Sequence, residues 1–260
     1  MQFDCAGVIV AGGYGKRLAP ITNVLPKVLV PVGDRAMLDV LVGQLAGLGI
    51  TRTHLLLGHQ ADLVRAYADG RPQLTEQMRL CFHTDTGDLG TAGPLSRIRT
   101  GPGTLLVMNG DVLTTADLRE LIHRHHDEGN DFTVATTDYP VTVPYGVLHS
   151  DDRSRLVTVD EKPSLEFRVS AGIYVLGSRA RAQVPGEGPD DMPDLIRRCM
   201  KAGLKVGTHR LLGGAWFDLG TEDGYRRCLQ YGATPAGPTT APPAGPSAPP
   251  ARHSREQVRP

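Results

Sequence analysis

The sequence predicts an α/β fold with a mixed, mostly parallel sheet covered by helices on both faces. Three observations lead to this prediction: short apolar runs alternate with helix-spaced patterns, a glycine loop follows the first run, and a fully apolar run at 104–108 ends at Asn109-Gly110-Asp111. Alternation of this kind is typical of βαβ units. Strands that are apolar throughout indicate a sheet buried on both sides.

The individual elements follow from the spacing of apolar residues. Strands are predicted at residues 7–10, 53–57, 80–82, 104–108, 132–136, 145–149, 155–161 and 171–176. Helices are predicted at 36–48, where Met37, Leu38, Leu41, Leu45 and Leu48 recur at helical spacing, and at 61–68, 117–126, 191–202 and 221–230. From about residue 139 the pattern loosens, so we expect one α/β domain with an irregular second half.

The last part of the chain differs in composition. Eight of the 20 prolines follow residue 232, and residues 233–260 contain almost no large apolar side chain. Such a segment cannot bury enough surface to offset the entropy of ordering. We therefore predict one folded domain at residues 1–232 and a proline-rich disordered tail at 233–260. An inert extension is the favoured interpretation, and docking of the tail on a partner in polyproline form is the alternative.

Charge and apolar content exclude several classes of protein. The chain has 28 Lys+Arg and 28 Asp+Glu, and the tail holds three Arg and one Glu, so the predicted domain keeps 25 basic against 27 acidic residues. A nucleic-acid-binding protein would carry a basic excess. No apolar stretch approaches the roughly 18–20 residues of a membrane span, and the N-terminus does not resemble a secretory signal. We expect a cytoplasmic protein with no nucleic-acid or membrane partner.

Cysteine and histidine point to neither a disulfide framework nor a zinc site. Four distant cysteines without a CxxC pair are expected to be buried thiols in a reducing compartment. His123, His125 and His126 cluster in one predicted helix. Because no convincing set of metal-ligand partners accompanies them, we expect these three to be solvated helix residues.

The glycine loop at residues 11–18 is the sharpest local signal. Glycines after a first strand let backbone N–H groups approach phosphate closely. The loop lacks the third glycine of a dinucleotide fingerprint and the Gly-x4-Gly-Lys-Ser/Thr order of a Walker A motif. Instead it carries Lys16 and Arg17, and Lys27 follows. Three nearby cations suit a triphosphate or its pyrophosphate leaving group, and the alternative is a tight turn with solvated charges.

The segment AGGYGKRLAPITNVLPKVLVPV at 11–32 resembles the signature of the nucleoside-diphosphate-sugar pyrophosphorylases, which are sugar-1-phosphate nucleotidylyltransferases. The resemblance covers residues 6 to about 231 and continues through Gly90-Thr91-Ala92-Gly93, Asn109-Gly110-Asp111, Tyr145-Gly146, Glu161-Lys162-Pro163, Ala171-Gly172-Ile173-Tyr174 and Trp216-Phe217-Asp218-Leu219-Gly220-Thr221. Short guanylyltransferase-like members that act on mannose- or heptose-type sugar phosphates look closest. The resemblance implies a Rossmann-like, GT-A-like nucleotide-diphospho-sugar transferase fold.

The resemblance also implies a reaction, in which a sugar 1-phosphate oxygen attacks the α-phosphorus of a nucleoside triphosphate and pyrophosphate leaves in line. The nucleophile is already an anion, so the site must mainly bring polyanions together and stabilise their charge. Carried over by motif, the catalytic residues are Arg17, Lys27, Asp111 and Lys162, and Asp111 and Asp218 are the ligands of Mg²⁺. Taken singly, either aspartate suits a turn or helix cap, and Lys162 suits a solvated turn.

The two substrates are assigned to separate groups of residues. The candidates for nucleotide binding are Ala11, Gly12, Gly13, Gly15, Lys16, Gln60, Asp85, Gly90 and Thr91. The candidates for sugar-phosphate binding are Tyr145, Gly146, Glu161, Lys162 and Gly172. A carboxylate at Asp85 can accept from the N1–H and N2–H₂ of guanine, which favours GTP. The alternative for Asp85 is a solvated loop carboxylate.

Two departures from the family pattern keep other functions open. Ser170 stands where the family usually has Asn, which indicates an unusual sugar, and Lys16 replaces the usual Thr of the loop. One alternative is nucleotidyl transfer to a cyclitol or polyol phosphate. Another is a catalytically silent regulatory homologue, although Arg17, Lys27, Asp111 and Asp218 are all present. Family members are often dimers or tetramers, so a homo-oligomer is also open for this chain.

Overall fold

The structure is a computed structural model that describes residues 4–85, 87–98 and 103–231. The predicted tail at 233–260 lies outside the described residues, so the domain boundary at residue 232 stays a prediction. Among the described residues no helix combines the length and the apolar character needed to cross a bilayer. All four cysteines are free; Cys199 and Cys228 are buried as expected, whereas Cys5 and Cys81 are only half-buried.

The described residues form thirteen strands and seven α-helices. The strands are β1 (Cys5–Ala11), β2 (Pro31–Val32), β3 (Arg35–Ala36), β4 (Arg52–Leu57), β5 (Arg79–Thr84), β6 (Thr104–Asn109), β7 (Val112–Thr114), β8 (Phe132–Thr142), β9 (Gly146–Ser150), β10 (Leu156–Glu161), β11 (Ser164–Leu176), β12 (Val206–Arg210) and β13 (Trp216–Asp218). The helices are α1 (Met37–Gly47), α2 (Ala61–Asp69), α3 (Pro72–Gln77), α4 (Leu118–Asp127), α5 (Ser178–Arg181), α6 (Met192–Lys201) and α7 (Glu222–Gln230).

Seven strands form one sheet in the order β12-β8-β11-β6-β1-β4-β5. Only β11 runs antiparallel to its neighbours, and the other six strands are parallel. This confirms the predicted mixed, mostly parallel sheet. The carboxyl ends of β6, β1, β4 and β5 therefore meet at one edge, which is where open α/β sheets bind ligands.

The sheet separates two apolar layers. Successive residues of β1 face opposite sides, so Ile9 packs with α1, α2, α4 and α7, whereas Val8 packs with α5 and α6. Both residues are fully buried. Helices on both faces explain why the central strands lack polar–apolar alternation.

β8 and β11 extend past the carboxyl edge as a two-stranded ribbon. They remain paired from Thr136 and Ser170, next to the sheet, to Thr142 and Ser164 at the far end, and neither β6 nor β12 pairs with residues beyond Ser170 or Thr136. The β9–β10 hairpin continues the chain beyond that point. We call residues 137–169 the projecting ribbon. It carries four of the residues predicted to bind the sugar phosphate.

The predicted helices are confirmed to within one residue at each end, and each predicted strand overlaps an observed one. The predicted strand at 171–176 is only the last part of β11, which begins at Ser164. The prediction omitted α3, α5 and β12, because short segments with few large apolar residues have no clear periodicity.

The expectation of three solvated histidines is wrong for His125. Its side chain is 3% exposed, and its Nδ1 lies 2.9 Å from Thr133 Oγ1. The physical reason is helical spacing, because His125 follows the buried Leu121 by four residues and so lies on the same face of α4. His123 and His126 are exposed, as predicted.

Candidate active site

Two aspartates from distant parts of the sequence are brought together by the short β7–β13 pairing. Its antiparallel register sets Asp218 opposite Val112, the residue after Asp111. The Leu219 N–H also donates to the Asp111 carbonyl at 2.8 Å. Asp111 follows β6, so both carboxylates lie at the carboxyl edge of the sheet.

Lys27 reaches the same place from a short 3-10 helix. Its Nζ donates to Asp111 Oδ2, and the two side chains are only 17% and 16% exposed. Gly110 permits this approach, because a Cβ at that position would lie 2.6 Å from Val28 Cγ1 and 2.8 Å from the Val10 carbonyl. Packing between β6 and the segment that carries Lys27 thus requires glycine at position 110 of the predicted motif.

Arg17 is the second cation of the group. It lies in the 3-10 helix Lys16–Leu18, and its Nη1 is 3.8 Å from Asp218 Oδ2. Gly15 precedes this helix with φ +64°, and a Cβ there would meet Thr22 Cγ2 at 2.8 Å. The Arg17 side chain is 65% exposed, so it can turn toward a ligand without leaving a buried position.

The charged groups meet around Gly220. A Cβ on this residue would lie 2.7 Å from Asp218 Oδ1, 2.8 Å from Asp111 Oδ2 and 2.8 Å from Lys27 Nζ. We call Arg17, Lys27, Asp111 and Asp218 the charged cluster. It contains two cations and two carboxylates, and glycine is the residue that leaves them room.

Neither carboxylate acts as a helix cap. Thr221 caps α7 and accepts a hydrogen bond from the Gly224 N–H, while Asp218 Oδ1 accepts from the Gly220 N–H at 2.8 Å. Asp111 Oδ2 is bound by Lys27. The helix-cap role therefore holds for neither aspartate, whereas the hydrogen bond that Asp218 accepts from the backbone two residues on is an Asx turn, so the turn role holds for Asp218.

The donor set of the charged cluster suits a hard divalent cation. Carboxylate oxygens are ligands that Mg²⁺ prefers, and it commonly completes its shell with substrate phosphates and water. Across residues 4–85, 87–98 and 103–231, no group of three or more His, Cys, Asp or Glu side chains is arranged to hold a metal. Asp111 and Asp218 thus fit a metal that arrives with phosphate, rather than a closed structural site.

The residues predicted to bind nucleotide follow the same edge. Ala11 ends β1, and Gly12 packs against Gly58 after β4, where a Cβ on Gly58 would lie 2.7 Å from the Gly12 carbonyl. A Cβ on Gly13 would meet nothing within 4 Å, so space lies over this part of the loop. Lys16 is exposed, and its Nζ lies 5.9 Å from the centroid of the Tyr14 ring.

Gln60 follows β4 and joins two loops. It has φ +59°, a left-handed conformation that is uncommon outside glycine. Its Nε2 donates to the Asn23 carbonyl at 3.5 Å. This contact links the segment after β4 to the segment after the glycine loop, and the side chain makes no hydrogen bond to the charged cluster.

Asp85 is not the solvated carboxylate of the alternative interpretation. It follows β5, its side chain is 9% exposed, and its Oδ1 accepts from Arg97 Nε at 2.9 Å. The Asp85 N–H donates to the Leu57 carbonyl at 3.1 Å, which holds the residue at the carboxyl edge. Asp85 Oδ2 is buried and has no hydrogen-bond partner among the residues that the structure describes.

Gly90 and Thr91 lie against the segment that leads into α6. A Cβ on Gly90 would come within 2.5 Å of the Asp190 carbonyl. The Thr91 hydroxyl donates to Asp191 Oδ1 at 3.1 Å and accepts from the Met192 N–H at 2.9 Å. The hydroxyl of Thr91 is therefore occupied within the protein, and the position serves to hold the loop.

Four of the sugar-phosphate candidates lie on the projecting ribbon. Gly146 and Glu161 are register partners, and a Cβ on Gly146 would lie 3.1 Å from Glu161 Oε2. Lys162 has φ +47°, a conformation that disfavours side chains with Cβ. Tyr145, Glu161 and Lys162 are exposed, and none of their side chains makes a hydrogen bond or ion pair with the charged cluster in the described structure.

Gly172 connects the ribbon to the charged cluster. It has φ +69°, and a Cβ there would lie 2.8 Å from Asn109 Nδ2 and 3.0 Å from Val112 Cγ2. Ser170 Oγ donates to the hydroxyl of Tyr174 at 3.1 Å. Burial raises the pKa of Tyr174, and the Asp111 carboxylate raises it further, whereas the hydrogen bond from Ser170 lowers it.

Four residues near these groups escaped the sequence prediction. Gly220 lies inside a quoted motif, so its position could have been found there. Arg97, which pairs with Asp85, lies in a segment with no recognisable motif, whereas Asp191, which holds Thr91, begins the segment Asp-Met-Pro-Asp-Leu-Ile that resembles the family. Tyr174 closes the quoted motif Ala171–Tyr174 but was named only as part of a strand.

Comparisons with known proteins agree with this geometry. A family model described as "Nucleotidyl transferase" matches residues 6–231. A mannose-1-phosphate guanyltransferase of Pichia angusta is 33% identical over 178 residues, covering 65% of this chain and 49% of that protein. A UTP–glucose-1-phosphate uridylyltransferase of Synechocystis is 26% identical over 241 residues, covering 86% of this chain and 62% of that protein. The chain thus spans about three fifths or less of the length of these curated relatives.

Solved structures share the fold. The structure of HddC from Yersinia pseudotuberculosis complexed with GMP-PN has a TM-score of 0.65 and 19% identity. It covers 86% of this chain and 98% of that chain. This similarity confirms the nucleotide-diphospho-sugar transferase architecture that the motifs implied.

Proposed function

Because the chain belongs to the nucleotidyl transferase family, we propose that it transfers a nucleoside monophosphate from a nucleoside triphosphate to a sugar 1-phosphate, releasing pyrophosphate. GTP is the favoured nucleotide, and a mannose- or heptose-type sugar 1-phosphate is the favoured acceptor. The observation that carries the proposal is the meeting of Lys27, Asp111 and Asp218 around Gly220, with Arg17 paired to Asp218 from outside.

The charged cluster suits phosphoryl chemistry because it offers both signs of charge at one point. Positioning and charge stabilisation supply most of the catalysis in this kind of reaction. Lys27 and Arg17 pair with carboxylates in the free protein. When a triphosphate enters, the two cations bind its oxygens and stabilise charge on the transferring group. The space over Gly13 and the exposed Arg17 side chain support entry from that side.

Asp111 and Asp218 would hold Mg²⁺ together with the substrate phosphates. Bound there, the metal would neutralise phosphate charge and orient the reacting groups. The protein's own contribution is to fix the two carboxylates through the β7–β13 register. The acceptor phosphate is already ionised at neutral pH, so no side chain of the cluster has to remove a proton from it.

The preference for GTP rests on Asp85. Its buried Oδ2 has no partner within residues 4–85, 87–98 and 103–231, whereas Oδ1 is held by Arg97, so Oδ2 is the carboxylate oxygen proposed to accept from a ligand. Guanine offers the adjacent N1–H and N2–H₂, and thymine and uracil offer no such pair. The guanyltransferase name of the Pichia relative supports GTP, whereas the Synechocystis relative is named for UTP.

The acceptor is assigned to the far end of the projecting ribbon, where Glu161 and Lys162 lie, and to Gly172, which follows its base. Glu161 would accept hydrogen bonds from sugar hydroxyls, Lys162 would bind the phosphate, and Gly172 would leave room beside Asn109. Ser170 donates to Tyr174, so its hydroxyl hydrogen is directed to the protein. Serine also lacks the amide group that the family's usual Asn would offer, so a second candidate acceptor is a cyclitol or polyol phosphate instead of the usual sugar.

Two further parts of the proposal concern setting and partners. Four free cysteines support a reducing, cytoplasmic environment. The zero formal charge supports small-molecule substrates over nucleic acid.

The deciding experiment is a matrix of nucleoside triphosphates against sugar, cyclitol and polyol phosphates, with Mg²⁺-dependent pyrophosphate release as the readout. We expect release with GTP and a mannose- or heptose-type 1-phosphate. A preference for UTP or dTTP would overturn the Asp85 argument alone. Absence of release with every pair would overturn the proposed activity and favour the silent regulatory homologue.

Asp111→Ala tests the role of the charged cluster. We expect turnover to fall by at least about 100-fold, because a ligand of the metal and the partner of Lys27 are both lost. Binding of Mn²⁺ with nucleotide, followed by electron paramagnetic resonance, should weaken as well. The exposed Asp69→Asn at the end of α2 is the matched control and should change neither quantity. Unchanged turnover in Asp111→Ala, with an intact circular dichroism spectrum, would refute the metal assignment.

A further inference from the structure

The loop that follows β5 is fastened to the segment that leads into α6, 100 residues later in the chain. The Asp190 carbonyl accepts from the N–H groups of Ala92 and Gly93 at 2.8 and 3.0 Å. The Asp190 N–H donates in turn to the Leu89 carbonyl at 3.0 Å. The path of the loop therefore depends on a segment from the second half of the chain.

The carboxylate of Asp191 adds a side-chain contact to this attachment. Asp191 occupies the N-cap position of α6, where an Asp side chain commonly accepts from the first helical N–H groups, but it makes no capping hydrogen bond within the described helix. Its Oδ1 accepts instead from the Thr91 N–H at 2.9 Å and from the Thr91 hydroxyl at 3.1 Å. The same hydroxyl accepts from the Met192 N–H at 2.9 Å. The carboxylate thus serves the loop, while the loop hydroxyl satisfies the end of the helix.

The loop leads directly to the residue that holds Asp85. It continues as the 3-10 helix Gly93–Arg97, and Arg97 Nε donates to Asp85 Oδ1 at 2.9 Å. Ala92 and Leu95 are 0% and 5% exposed and pack against α6 in one buried cluster. The position of Arg97, and with it the direction of the Asp85 carboxylate, therefore depends on how the loop is held against α6.

The segment that holds the loop is anchored in its own right. The Arg198 guanidinium pairs with Asp190 Oδ2, and its Nε donates to the Gln183 carbonyl at 2.7 Å. The Asp190 side chain is only 5% exposed, and solvent screens a buried ion pair weakly. The loop therefore rests on a support that is fixed before any ligand enters, which is what a recognition site requires.

We propose that Asp191 is a positioning residue for recognition of the nucleobase, which it serves by holding Thr91 and the loop. The inference rests on the proposed function, because it takes Asp85 Oδ2 as the acceptor for the base. Discrimination between bases depends on a fixed acceptor, since a buried acceptor rejects a base that lacks the matching donor. When the hold on Thr91 is lost, the loop and Arg97 shift, and the Asp85 carboxylate turns with them.

The charged cluster should be unaffected by the same change. Asp111 and Asp218 are brought together by the β7–β13 pairing, and Lys27 approaches them from a different segment. Loss of the Asp191 contact should therefore lower discrimination between nucleotides and leave the rate at saturating substrate nearly unchanged. This split separates a positioning role from a direct catalytic one.

Isothermal titration calorimetry of the full chain with GTP, UTP and dTTP in the presence of Mg²⁺ tests the proposal. The measured quantity is the ratio of dissociation constants between the triphosphate that binds tightest and the other two. Asp191→Ala and Thr91→Val should each lower this ratio by at least about 10-fold, because the acceptor is no longer fixed. In turnover assays kcat should stay within about threefold of the wild-type value.

Two conservative variants distinguish the position of the carboxylate from its charge. Asp191→Asn loses the charge but keeps an oxygen in the same place, so it should retain the wild-type ratio. Asp191→Glu keeps the charge but moves the carboxylate by one methylene, so it should lower the ratio. Asp191 is exposed, so neither change disturbs the core. Asp194→Ala is the matched control on α6, because its carboxylate is 60% exposed and pairs with Arg197, and it should retain the ratio.

The results that would overturn the positioning role differ from those that would overturn the proposed function. Wild-type ratios in Asp191→Ala, Asp191→Glu and Thr91→Val would overturn the positioning role, even with lower stability in urea, because the contact would then be structural only. An equal loss in Asp194→Ala, or equal binding of all three triphosphates by the unmodified protein, would overturn it too. Binding of no triphosphate would overturn both. The expected ratios without pyrophosphate release from any substrate pair would support the positioning role and overturn the proposed function alone.

Discussion

Gly220 is the position on which the geometry of the charged cluster depends most directly. Any side chain there would enter the space shared by Asp111, Asp218 and Lys27, since the Cβ itself would lie 2.7–2.8 Å from all three. No charge would be removed by such a change. Substitution at Gly220 therefore tests whether the site needs the charged groups in this arrangement, since all of the charges stay present.

For Gly220→Ala we expect loss of turnover by about 10–100-fold with nucleotide binding largely kept, because the carboxylates and Lys27 must move apart and small displacements are costly in a positioned site. Pyrophosphate release and nucleotide titration measure the two effects. Gly47→Ala at the end of α1 is the control, where a Cβ would meet nothing within 4 Å. Full activity in Gly220→Ala would contradict the convergence described for this site.

For single residues, the sequence predicted which residues belong to the candidate site better than it predicted the contacts between them. Lys27, Asp111 and Asp218 were assigned by motif, and the structure brings them together as the resemblance implied. The pairing of Asp85 with Arg97 and of Thr91 with Asp191 could not be predicted. Those contacts depend on how loops from separate βα units meet, and single residues in such loops carry no periodic signal.

Among the elements, β11 shows how a strand can be bent to serve a site. Its pairing with β8 shifts between Ser170 and Tyr174, where Gly172 has φ +69°. β11 has two more residues than β8 at this point, and extra residues of this kind bend a strand and increase its twist. The bend lets β11 continue beside Asn109 and at the same time begin the projecting ribbon.

Gly172→Ala should cost about 2–3 kcal/mol of unfolding free energy, from the left-handed backbone and the crowding against Asn109 and Val112. Gly213→Ala is the matched control: it has φ +71° but open space around the Cβ, so only the backbone cost of about 1 kcal/mol applies. Urea denaturation measures both. Equal losses would show that crowding at Gly172 is relieved without cost.

β4 and β5 are joined on one face by a pair of histidines. His54 Nδ1 lies 2.9 Å from His83 Nε2, and the rings stack with centroids 5.1 Å apart. His54 is 5% exposed. Burial, together with the neighbouring His83, Arg52 and Arg181, lowers its pKa from 6.5 to about 4; burial also lowers the pKa of His83.

The free energy of unfolding should therefore fall as the pH falls from about 6.5 toward 4. In this range His54 binds a proton in the unfolded chain but stays neutral in the folded protein. The contribution is fully present above pH 6.5 and amounts to at most about 3 kcal/mol for His54. The test is to measure the free energy of unfolding in urea for the wild type and for His54→Gln at about pH 7.5, 6 and 5, which lie on both sides of the ordinary histidine pKa. Parallel curves for the two proteins would contradict it.

Strand and helix positions were predictable where apolar residues recur regularly. The extension of β11 back to Ser164 was not predicted, although Leu165, Phe167 and Val169 alternate with polar residues. Both strands of the ribbon are exposed, so the run lacks the continuous apolar character of a core strand. β12 is an edge strand, Val206–Arg210, with a single large apolar residue and therefore little to mark it.

At the scale of the whole molecule, every described strand and helix is formed by residues that precede residue 232. The described part ends one residue after α7, at Tyr231, which packs on Phe217 with ring centroids 5.3 Å apart. Removal of residues 233–260 should leave the thermal midpoint within about 2 °C and turnover within about twofold, because no large apolar group other than Val258 is lost. Differential scanning calorimetry and pyrophosphate release measure these quantities, and a large loss in either would assign the tail a structural or catalytic role.

The overall architecture followed from the sequence because a buried parallel sheet leaves a strong pattern along the chain. The order of the strands in space did not follow, since the same alternation fits several doubly wound orders. The reversed strand β11 and the β7–β13 pairing were also unpredictable. Both unite segments far apart in sequence, and the second of them forms the charged cluster.

The projecting ribbon leaves the sheet from β8 and returns to it through β11, and these two strands are neighbours. Thr136 and Ser170 are register partners at the point of departure. Everything between them is thus a single insertion with closely spaced ends, and the remaining strands pair without it. Such an insertion is an exchangeable module: recombination between relatives can replace residues 137–169 in one crossover pair. The residues proposed to bind the acceptor would then be inherited as one segment, while the strands that position the charged cluster stay the same.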